Sequence, residues 1–411
     1  MTRLTEGKPR SGSTDTRSDK RLHTLHRSAF ATAAVLTLSA ADYPDHGYRR
    51  AIQFPDTLDG RKLMTADLHT HTVFSDGHVW PSIRVEEALR DNIDALALTE
   101  HLEHNPKSED IPHPDRNRSY EVARGEAMRQ QFNARNGSDG LILINGSEIT
   151  RDMPPGHVNA VFLSDANALL VNDPVSAIGA ANEQGAFVFW NHPSWIPQAP
   201  DGISRLRDMH EQLIQAGQLH GIEVANGTAD TYSEHALDIA LEHDLTVLGT
   251  SDIHGLVDWT HDAGHGGHRP MTIVLTADRS LPSLKQSLFD GHTVAWNYDD
   301  LIGRAENVEA VVEACLTLKP RAYFLRSTVM DVELVNDCPM AYTLRNTSDI
   351  TFQNFSDLVQ VERYGSTPLH VRTVRPVTTL TLEFEVLNTQ IGGRKHLDVS
   401  LSSSVPFQTR D

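Results

Sequence analysis

Residues 65–77 read Thr65-Ala66-Asp67-Leu68-His69-Thr70-His71-Thr72-Val73-Phe74-Ser75-Asp76-Gly77. They begin as an apolar run of the kind that forms a buried strand, and they end in side chains that can bind a metal. In a strand, residues two apart point to the same face, so His69 and His71 project together. The turn that follows can bring Asp76 back towards them. Two imidazoles and a carboxylate are good ligands for Zn, Mn or Fe, although an isolated His-x-His pattern also arises by chance.

Strand-like and helix-like segments alternate outward from this stretch. Strands are predicted at 62–69, 93–101, 141–149, 157–163, 186–192, 221–226 and 246–254, and helices at 81–90, 116–135, 174–184, 206–216 and 234–242. Continuous apolar strands that alternate with helices predict an α/β fold with a parallel sheet buried on both faces. About seven such units fit a distorted, incomplete (β/α)7 barrel of the TIM type, and a doubly wound sheet is the structural alternative.

Polar residues mark the ends of these predicted strands. In a barrel the C-terminal ends of the strands meet at one mouth. The residues at those ends are His69, His71, His101, Glu148, His192, Asp252 and His254, and the fourth strand begins at His157. Buried carboxylates and imidazoles without partners are costly, so their alignment at one mouth predicts metal ions that compensate them.

The pattern changes after residue 304. A helix is predicted at 308–316, and short alternating segments follow at 322–325, 329–335, 342–345, 358–362, 369–373, 378–385 and 397–401. They predict a small all-β, sandwich-like domain over 305–411, with packing or contact with a partner as its expected role. Cys315 and Cys338 are the only cysteines. They can pair in an oxidising compartment, but the sequence leaves the pairing open.

The first 41 residues have the composition of a secretory signal. A polar, basic region at 1–27 precedes an apolar run at 28–41 that ends in Ser39-Ala40-Ala41, a small-residue cleavage site. Its apolar core of about a dozen residues is too short to span a bilayer. We therefore expect an exported protein, periplasmic or secreted, with a linker at 42–60 and the barrel at 61–304. A buried helix, or a start assigned too early with a disordered tail, is the alternative.

The chain is acidic, with a formal net charge of −19, and residues 1–41 carry +4 of it, so the rest carries −23. Such a protein repels long nucleic acid, because that binding depends on neutralising phosphates. We therefore expect no binding to a nucleic-acid scaffold and no transmembrane segment in the mature chain. The sequence does not fix the oligomeric state.

Six motifs within residues 60–300 resemble those of the PHP (polymerase and histidinol phosphatase) domains. They are Asp67-Leu68-His69-Thr70-His71 with Ser75-Asp76-Gly77, Thr99-Glu100-His101, Gly146-Ser147-Glu148, Pro155-Gly156-His157-Val158-Asn159, Trp190-Asn191-His192-Pro193 and Thr250-Ser251-Asp252-Ile253-His254. The resemblance implies the PHP fold and nine metal-ligand positions. These are filled here by His69, His71, Asp76, His101, Glu148, His157, His192, Asp252 and His254.

The family's pattern implies how the nine ligands divide. One metal would lie between His69, His71, Glu148 and Asp252, with Glu148 bridging to a second at His157 and His192. A third position would consist of Asp76, His101 and His254. The resemblance implies two or three divalent ions, Mn, Zn or Fe, and does not select among them.

Three further stretches, residues 74–88, 111–120 and 151–157, resemble one branch of the family more closely, the Sb-PDE family of exported phosphodiesterases. This likeness implies hydrolysis of phosphodiesters (EC 3.1.4 type), including small dialkyl phosphates and phosphonate esters. The expected mechanism is in-line attack on phosphorus by a metal-activated hydroxide, while the metals neutralise the charge of the leaving alkoxide. No protein nucleophile is needed.

Other polar residues are candidates for substrate contact or catalysis, each with a structural alternative. Arg151 could bind a phosphate oxygen or form a salt bridge. Arg116 and Arg118 could contact phosphate or stabilise a Pro-rich loop. His104 could protonate the leaving oxygen or be an exposed loop histidine. A Gly-rich segment with His261, His265 and His268 could be a lid over the cluster or a solvated loop. An apolar pocket could be lined by Trp80, Trp190 and Trp195, which could also pack in the core. Two asparagines, Asn159 and Asn191, could orient the metal ligands.

Three other functions remain open from the sequence. The same metal chemistry would serve a phosphomonoesterase of the histidinol phosphatase type, or a hydrolase of nucleotides or oligonucleotides. The third is a non-catalytic metal-binding module that presents the β-domain to a partner. The substrate is open because neither fold nor metal cluster fixes it.

Overall fold

The computed structural model describes residues 52–133, 140–228, 231–261 and 267–406. The chain divides into two compact units, Met1–Asp45 and His46–Asp411, and all described residues belong to the second. The predicted signal segment, 1–41, lies outside them. Among the helices in these ranges, none combines the length and apolar character needed to cross a membrane.

The first part of this unit alternates strands and helices. Its strands are β1 (Lys62–Asp67), β2 (Ala95–Leu98), β3 (Ile142–Ile149), β4 (Val158–Val161), β5 (Phe187–Trp190), β6 (Gly221–Asn226), β7 (Thr231–Tyr232), β8 (Thr246–Thr250), β9 (Met271–Thr276), β10 (Thr293–Asn297) and β11 (Asp300–Gly303). Its helices are α1 (Pro81–Asp91), α2 (Arg118–Asn133), α3 (Pro174–Glu183), α4 (Asp208–Gln215), α5 (Glu234–Glu242), α6 (Val257–Thr260) and α7 (Leu281–Phe289), with a 3₁₀ helix at Ala166–Leu169.

The second part begins with one helix, α8 (Ala305–Cys315), and continues as strands. These are β12 (Leu316–Tyr323), β13 (Val329–Asn336), β14 (Tyr342–Asn346), β15 (Thr351–Phe352), β16 (Leu358–Val361), β17 (Ser366–Arg372), β18 (Thr379–Val386), β19 (Thr389–Gln390) and β20 (Leu397–Ser404).

Local sequence explains where several helices begin. Asp173 accepts a hydrogen bond from the backbone N–H of Ser176 at the start of α3, and Pro174 takes the first position, where its missing N–H costs nothing. Ser233 caps α5 in the same way through the N–H of Ala236. The helices cover strands such as β2 and β5, whose residues are all buried, which is why those strands are apolar throughout.

Twelve strands of the described chain form one curled sheet in the order β19-β11-β10-β9-β1-β2-β3-β4-β5-β6-β7, with β8 also paired to β6. The curl brings β8 against β9 and β10. There the strands are joined by threonine side chains and not by a ladder of backbone hydrogen bonds. Thr272 Oγ1 donates to the Gly249 carbonyl (2.8 Å), and Thr293 Oγ1 donates to the Val247 carbonyl (2.7 Å). The predicted distorted, incomplete barrel with an all-β C-terminal domain is therefore confirmed.

The predicted parallel pairing is correct for β1–β2, β2–β3, β5–β6 and β6–β8, but other neighbouring strands are antiparallel. Strand β4 runs antiparallel to both β3 and β5, and β9 runs antiparallel to β1. A parallel crossover needs a dozen or more residues, and the segment between Ile149 and Val158 is too short for one. Because β4 is reversed, its first residues lie at the same end of the sheet as the last residues of β3. The prediction also stopped at residue 254 and left out β9, β10, α7 and β11.

Two four-stranded antiparallel sheets, β12-β13-β17-β15 and β16-β14-β18-β20, form the C-terminal part. Their residues alternate between buried and exposed, as along β18, which is typical of sheets that face each other over one core. Cys315 at the end of α8 forms a disulfide with Cys338. Strand β19 leaves the sandwich and pairs with β11 of the curled sheet. The domain limit between residues 304 and 305 stays a prediction.

Candidate metal centre

The mouth of the barrel is closed by residues that follow β1 and β8. The N–H of Asp252 donates to the His69 carbonyl (2.8 Å), and the N–H of His71 donates to the Ile253 carbonyl (3.1 Å). On the other side, an isolated parallel β-bridge joins His101, just beyond β2, to Glu148, near the end of β3. Backbone pairing therefore fixes the ends of four strands in one place and aims their polar side chains at a common centre.

All nine residues predicted as metal ligands meet at this centre. Their ligand atoms form four groups in which the atoms lie within 4.8 Å of one another: His71, Asp76, His101 and His254; His69, Glu148 and His192; His69, His71 and Asp252; and His101, Glu148 and His157. Shared members join these groups into one cluster. Side chains separated by nearly two hundred residues in sequence are thus neighbours in space, as the alignment of strand ends predicted.

Glu148 occupies the middle of the cluster. Its Oε1 lies 2.9 Å from His157 Nδ1, 3.6 Å from His192 Nε2 and 3.7 Å from His69 Nε2. Its Oε2 lies 3.5 Å from His71 Nε2. The amide of Asn191 donates to Oε1 (3.0 Å), so this asparagine orients the carboxylate. A carboxylate with imidazoles on both oxygens has the position of a bridging ligand.

The outer nitrogens of three imidazoles, those of His69, His71 and His254, are used in hydrogen bonds. His69 Nδ1 donates to Glu223 (2.7 Å). His101 differs, because its Nδ1 lies 2.5 Å from Glu148 Oε2 as well as 2.7 Å from Thr150 Oγ1. The Nδ1 of His254 donates to the Asp252 carbonyl (2.7 Å), and that of His71 faces Ser75 Oγ (3.4 Å). Protons on these nitrogens leave each Nε2 with a lone pair directed into the cluster, which is the usual arrangement of a metal-binding histidine.

The inward-facing atoms fit cations. His69 Nε2 and His71 Nε2 lie 3.0 Å apart, and two lone pairs at that distance repel each other unless a positive charge lies between or beside them. Asp76 Oδ1 and Glu148 Oε2 are buried and face imidazoles, with His254 Nε2 3.1 Å from Asp76 Oδ1 and His101 Nδ1 2.5 Å from Glu148 Oε2. Imidazole and carboxylate together are the donor set of Zn, Mn and Fe sites. The nine residues therefore fit a divalent-metal centre.

The charges of the cluster act strongly on its titratable groups. Burial lowers the pKa of His69, but the carboxylates of Asp252, Glu223 and Glu148 outweigh it and raise that pKa well above its ordinary value. His101 is affected in the same way, and its pKa rises to about 10. Burial, together with the positive charges of the neighbouring His254 and His101, lowers the pKa of His71 to about 3. The cluster thus retains positive charge where cations would otherwise lie, which again indicates a cation site.

Two of the candidate ligands have a strained backbone. His192 has a φ of 28° and Asp252 has a φ of 49°, in the left-handed region that residues with a side chain rarely adopt. The N–H of His192 donates to Glu223 Oε2 (2.7 Å), and Thr228 Oγ1 donates to the Asp252 carbonyl (2.6 Å). These bonds hold conformations that cost about 1–3 kcal/mol each, and such strain is common at functional sites.

Glu223 is the residue of the site that the sequence prediction missed. It lies within β6, is 1% exposed, and contacts His69, the backbone of His192, Thr250 and Asn226. One signal was present in the sequence, since a carboxylate inside an apolar strand requires buried partners. Asp67 and Glu100 have similar supporting positions: Asp67 accepts from Ser251, and Glu100 accepts from Thr72 and Ser75.

A cavity of about 360 Å³ opens above the cluster. Its lining comprises Asp76, His101, His104, Thr150, His157, His192, Trp195, Thr228, Asp252 and His254. The ring of Trp195 lies 5.1 Å from that of His192 and 5.5 Å from that of His157, and the ring of His104 lies 5.5 Å from that of His101. No lysine or arginine belongs to the lining formed by the described residues.

The three arginines predicted as substrate contacts lie outside this lining. Arg151 donates to the carbonyls of Val171 (2.8 Å) and Asn172 (3.1 Å) and pairs with Glu103 (2.6 Å). Arg116 Nε donates to the Leu102 carbonyl (3.0 Å), and Arg118 is exposed beside Glu121 at the start of α2. Their role towards a substrate stays a prediction, and the contacts that the structure gives them are structural.

The remaining candidates divide between core and surface. Trp190 is buried and stacks on His210, while Trp80 is exposed. His268 is buried between the carbonyls of Arg269 and Tyr298 and packs on Trp296, which does not fit a lid. His261 is buried. His265 lies outside the described residues.

A solved structure from Bacteroides vulgatus matches nearly the whole chain. It is a two-domain protein that contains a predicted PHP-like metal-dependent phosphoesterase, 36% identical to this chain, with a TM-score of 0.77; the match covers 87% of this chain and 99% of that one. This chain belongs to the PHP-like metal-dependent phosphoesterases. The match extends over both parts of the molecule, because it covers 87% of this chain and the relative also has two domains. A phosphoesterase of this family would act on a small-molecule substrate.

Two weaker comparisons concern one part of the PHP-like chain each. A structure from Bifidobacterium adolescentis, described as a metal-dependent phosphoesterase, is 19% identical with a TM-score of 0.33, covering 46% of this chain and 87% of that one. The model of a family described as an Ig-like domain matches residues 316–402. The search of curated proteins found no significant match.

Proposed function

We propose that this PHP-like protein is an exported phosphodiesterase of the Sb-PDE branch that hydrolyses small alkyl or aryl phosphodiesters. The observation that carries the proposal is the composition of the cavity above the metal centre. Its floor is the ligand cluster, its walls include the ring of Trp195, and its described lining contains no lysine or arginine. A phosphate group would therefore meet positive charge only at the floor.

This distribution of charge favours a diester over a monoester. A phosphomonoester carries up to two negative charges near neutral pH and has one ester group, whereas a diester carries a single charge and two ester groups. Sites that select highly charged phosphates usually surround them with arginine or lysine. The described lining instead offers Trp195 and the imidazole faces, which suit the uncharged ester groups.

Divalent cations bound at the nine ligands would supply Lewis acidity and lower the pKa of water towards neutrality. We propose that the ions are Mn, Zn or Fe at two or three positions, and that Glu148, which lies in the middle of the nine residues, would help to hold more than one of them. The chain's own residues perform the rest. Glu223 and the Asp252 carbonyl accept hydrogen bonds from the imidazoles of His69 and His254, and Ser75 and Thr150 contact those of His71 and His101. Asn191 donates to Glu148 and fixes its carboxylate.

Two residues of the cavity lining, Trp195 and His104, would receive the two ester groups. Trp195, next to His157 and His192, is placed to contact the apolar part of one ester group. His104 is exposed at the cavity and adjoins His101, so it is the candidate that gives a proton to the leaving oxygen. A planar or apolar substituent on the substrate is therefore expected to improve binding.

Two observations support export. The apolar run at 28–41 has the composition of a signal segment, and Cys315 pairs with Cys338. Disulfides persist mainly in oxidising compartments. Fusion of residues 1–45 to a reporter that is active only outside the cytoplasm tests this part of the proposal, and a reporter that remains inactive contradicts it.

Parallel assays on bis(p-nitrophenyl) phosphate and p-nitrophenyl phosphate test the substrate. We expect the diester to have the higher kcat/KM, and we expect chelation to abolish both activities. Asp252→Asn should lower the rate by at least about a hundredfold, because a ligand is lost, whereas the exposed His78→Ala serves as the matched control. Faster turnover of the monoester would replace the proposal by a phosphomonoesterase. Hydrolysis of neither ester by metal-loaded protein would favour a non-catalytic metal-binding module.

A further inference from the structure

One end of the Ig-like domain has exposed apolar side chains on two neighbouring connections. The connections are residues 324–328, between β12 and β13, and residues 373–378, between β17 and β18; we call them the tip loops. Leu325 is 92% exposed, Val374 is fully exposed and Phe324 is 43% exposed. A single exposed apolar residue is ordinary, but three on adjacent loops mark a surface that a partner covers.

The tip loops are held together by hydrogen bonds. The N–H and the hydroxyl of Thr373 donate to the Thr328 carbonyl (2.9 and 3.1 Å). The N–H of Val377 donates to the hydroxyl of Tyr323 (3.0 Å), which is also bonded to Thr373 Oγ1 (3.1 Å). The apolar side chains are therefore presented on a firm support, at turns that lie at the end of a sandwich and not in a groove.

Positive charge surrounds these apolar residues. Arg326, Arg372 and Arg375 are exposed, and none of them forms an ion pair with a described residue. The adjoining residues include two exposed or partly exposed aspartates, Asp349 and Asp357. Three arginines against two aspartates leave the described residues of this end with a small positive charge, in a chain whose net charge is −19. Arginines beside apolar loop residues complement a surface that is negatively charged outside and apolar beneath.

We propose that the tip loops dock on an anionic phospholipid surface. Leu325 and Val374 enter the boundary between headgroups and acyl chains, and the three arginines bind lipid phosphates. This pattern of apolar and basic residues is typical of proteins that lie on a membrane without spanning it. A protein partner fits the surface less well, because a stable interface needs roughly 800 Å² on each side and a concave or flat core. The proposal does not depend on which ester the metal centre hydrolyses.

A fluorophore at the tip tests this directly. The two native cysteines are joined in a disulfide and no free cysteine is present in the described residues, so a cysteine introduced by Leu325→Cys can be labelled alone with an environment-sensitive dye. The matched control is Leu58→Cys, because Leu58 is 78% exposed and lies before β1, far from the tip loops in sequence. Full-length protein is mixed with vesicles of phosphatidylcholine, with or without phosphatidylglycerol.

We expect a blue shift at position 325 with the anionic vesicles, a smaller one with neutral vesicles and none at position 58. Substitution of the three arginines by serine should weaken binding about tenfold or more, and added salt should do the same. Labelling at one site separates the tip from any binding by residues 1–51, which all variants share.

Several results would overturn the proposal. A dye at position 325 that does not respond to anionic vesicles would do so, and so would binding that survives the arginine substitutions. Concentration-dependent self-association that Leu325→Ser and Val374→Ser abolish, without vesicle binding, would assign the tip loops to a second copy of the chain. Unchanged hydrolysis and unchanged thermal unfolding of these variants would verify that the fold is intact.

Discussion

At the scale of single residues, the centre depends on where each imidazole keeps its proton. His69 is the clearest case, since Glu223 accepts its Nδ1 proton and is itself held by Thr250 and Asn226. With that proton fixed on the outer nitrogen, the inner nitrogen is available as a ligand. Residues that touch no substrate thereby determine the geometry and charge of those that do.

Glu223→Gln tests this orientation. An amide at this position can still form hydrogen bonds, but it lacks the charge that favours the outer proton of His69. We expect metal affinity to fall about 10–100-fold, measured by competition with a chromophoric chelator. Glu234→Gln, at the partly exposed start of α5, is the matched control and should leave affinity unchanged. Equal affinities in the two variants would contradict the orienting role.

His113, which is not a candidate metal ligand, should make the free energy of unfolding depend on pH. Burial and the nearby charge of Arg116 lower its pKa to about 4. The unfolded chain, with an ordinary histidine pKa near 6.5, binds the proton more tightly. The corresponding stability is complete above about pH 6.5 and is lost as pH falls towards 4. Partial solvation of the His113 ring weakens the effect, so we expect a loss of about 2 kcal/mol in the free energy of unfolding.

Chemical denaturation at a series of pH values checks this expectation. His113→Gln should flatten the fall in the free energy of unfolding between pH 6.5 and 4, relative to the unchanged protein. The exposed His235→Gln should not. A steeper fall in the His113 variant would show that the sign is wrong.

At the scale of elements, the turn after β1 places Asp76 beside the histidines, and Gly77 makes the turn possible. A Cβ at Gly77 would lie 2.6 Å from the Thr72 nitrogen and 2.7 Å from the His71 carbonyl carbon. Neither of these backbone atoms can move without moving a ligand. The chain can therefore return to the cluster only with glycine at this point.

Gly77→Ala should cost about 1–3 kcal/mol in the free energy of unfolding, as overpacking does, and should reduce the number of bound ions. The matched control is Gly125→Ala within α2, where a Cβ meets nothing within 4 Å. Alanine there should stabilise the helix by about 0.5–1 kcal/mol. If both alanine variants were equally stable and bound equal amounts of metal, the close approach at Gly77 would be unimportant.

The positions of most strands and helices in the barrel could be predicted from the sequence. The strands that carry ligands are short apolar runs bounded by helices, so their positions and their common mouth followed from periodicity. The reversal of β4 did not, because periodicity gives no direction; only the short connection before Val158 indicates it. Strands β9 to β11 were missed because the prediction ended at residue 254, although α7 lies between β9 and β10 and repeats the alternation of strand and helix. Glu223 was missed because its role depends on contacts distant in sequence.

At the scale of the molecule, the two parts are connected at several points. Strand β19 pairs with β11, and the hydroxyl of Tyr364 bonds to the backbone of Gln53. The disulfide joins the end of α8 to the turn after β13, where both cysteines are buried. Its two cysteines are 23 residues apart, and a closed loop of that size restricts the unfolded chain.

Replacement of both Cys315 and Cys338 by serine should lower the free energy of unfolding by about 2–4 kcal/mol. Activity at 25 °C should persist, because neither residue approaches the cavity lining. Denaturation of the variant and of the unchanged protein, each with and without reductant, provides the measurement. Equal stabilities in the absence of reductant would show that the disulfide does not stabilise the fold.

The central claim is that the nine side chains bind cations which the reaction requires. Elemental analysis of the purified protein, alongside hydrolysis of bis(p-nitrophenyl) phosphate before chelation, after chelation and after restoring single metals, tests it most directly. We expect two or three divalent ions per chain, loss of activity with their removal and recovery with Mn, Zn or Fe. Full hydrolysis by protein that contains no metal would contradict it.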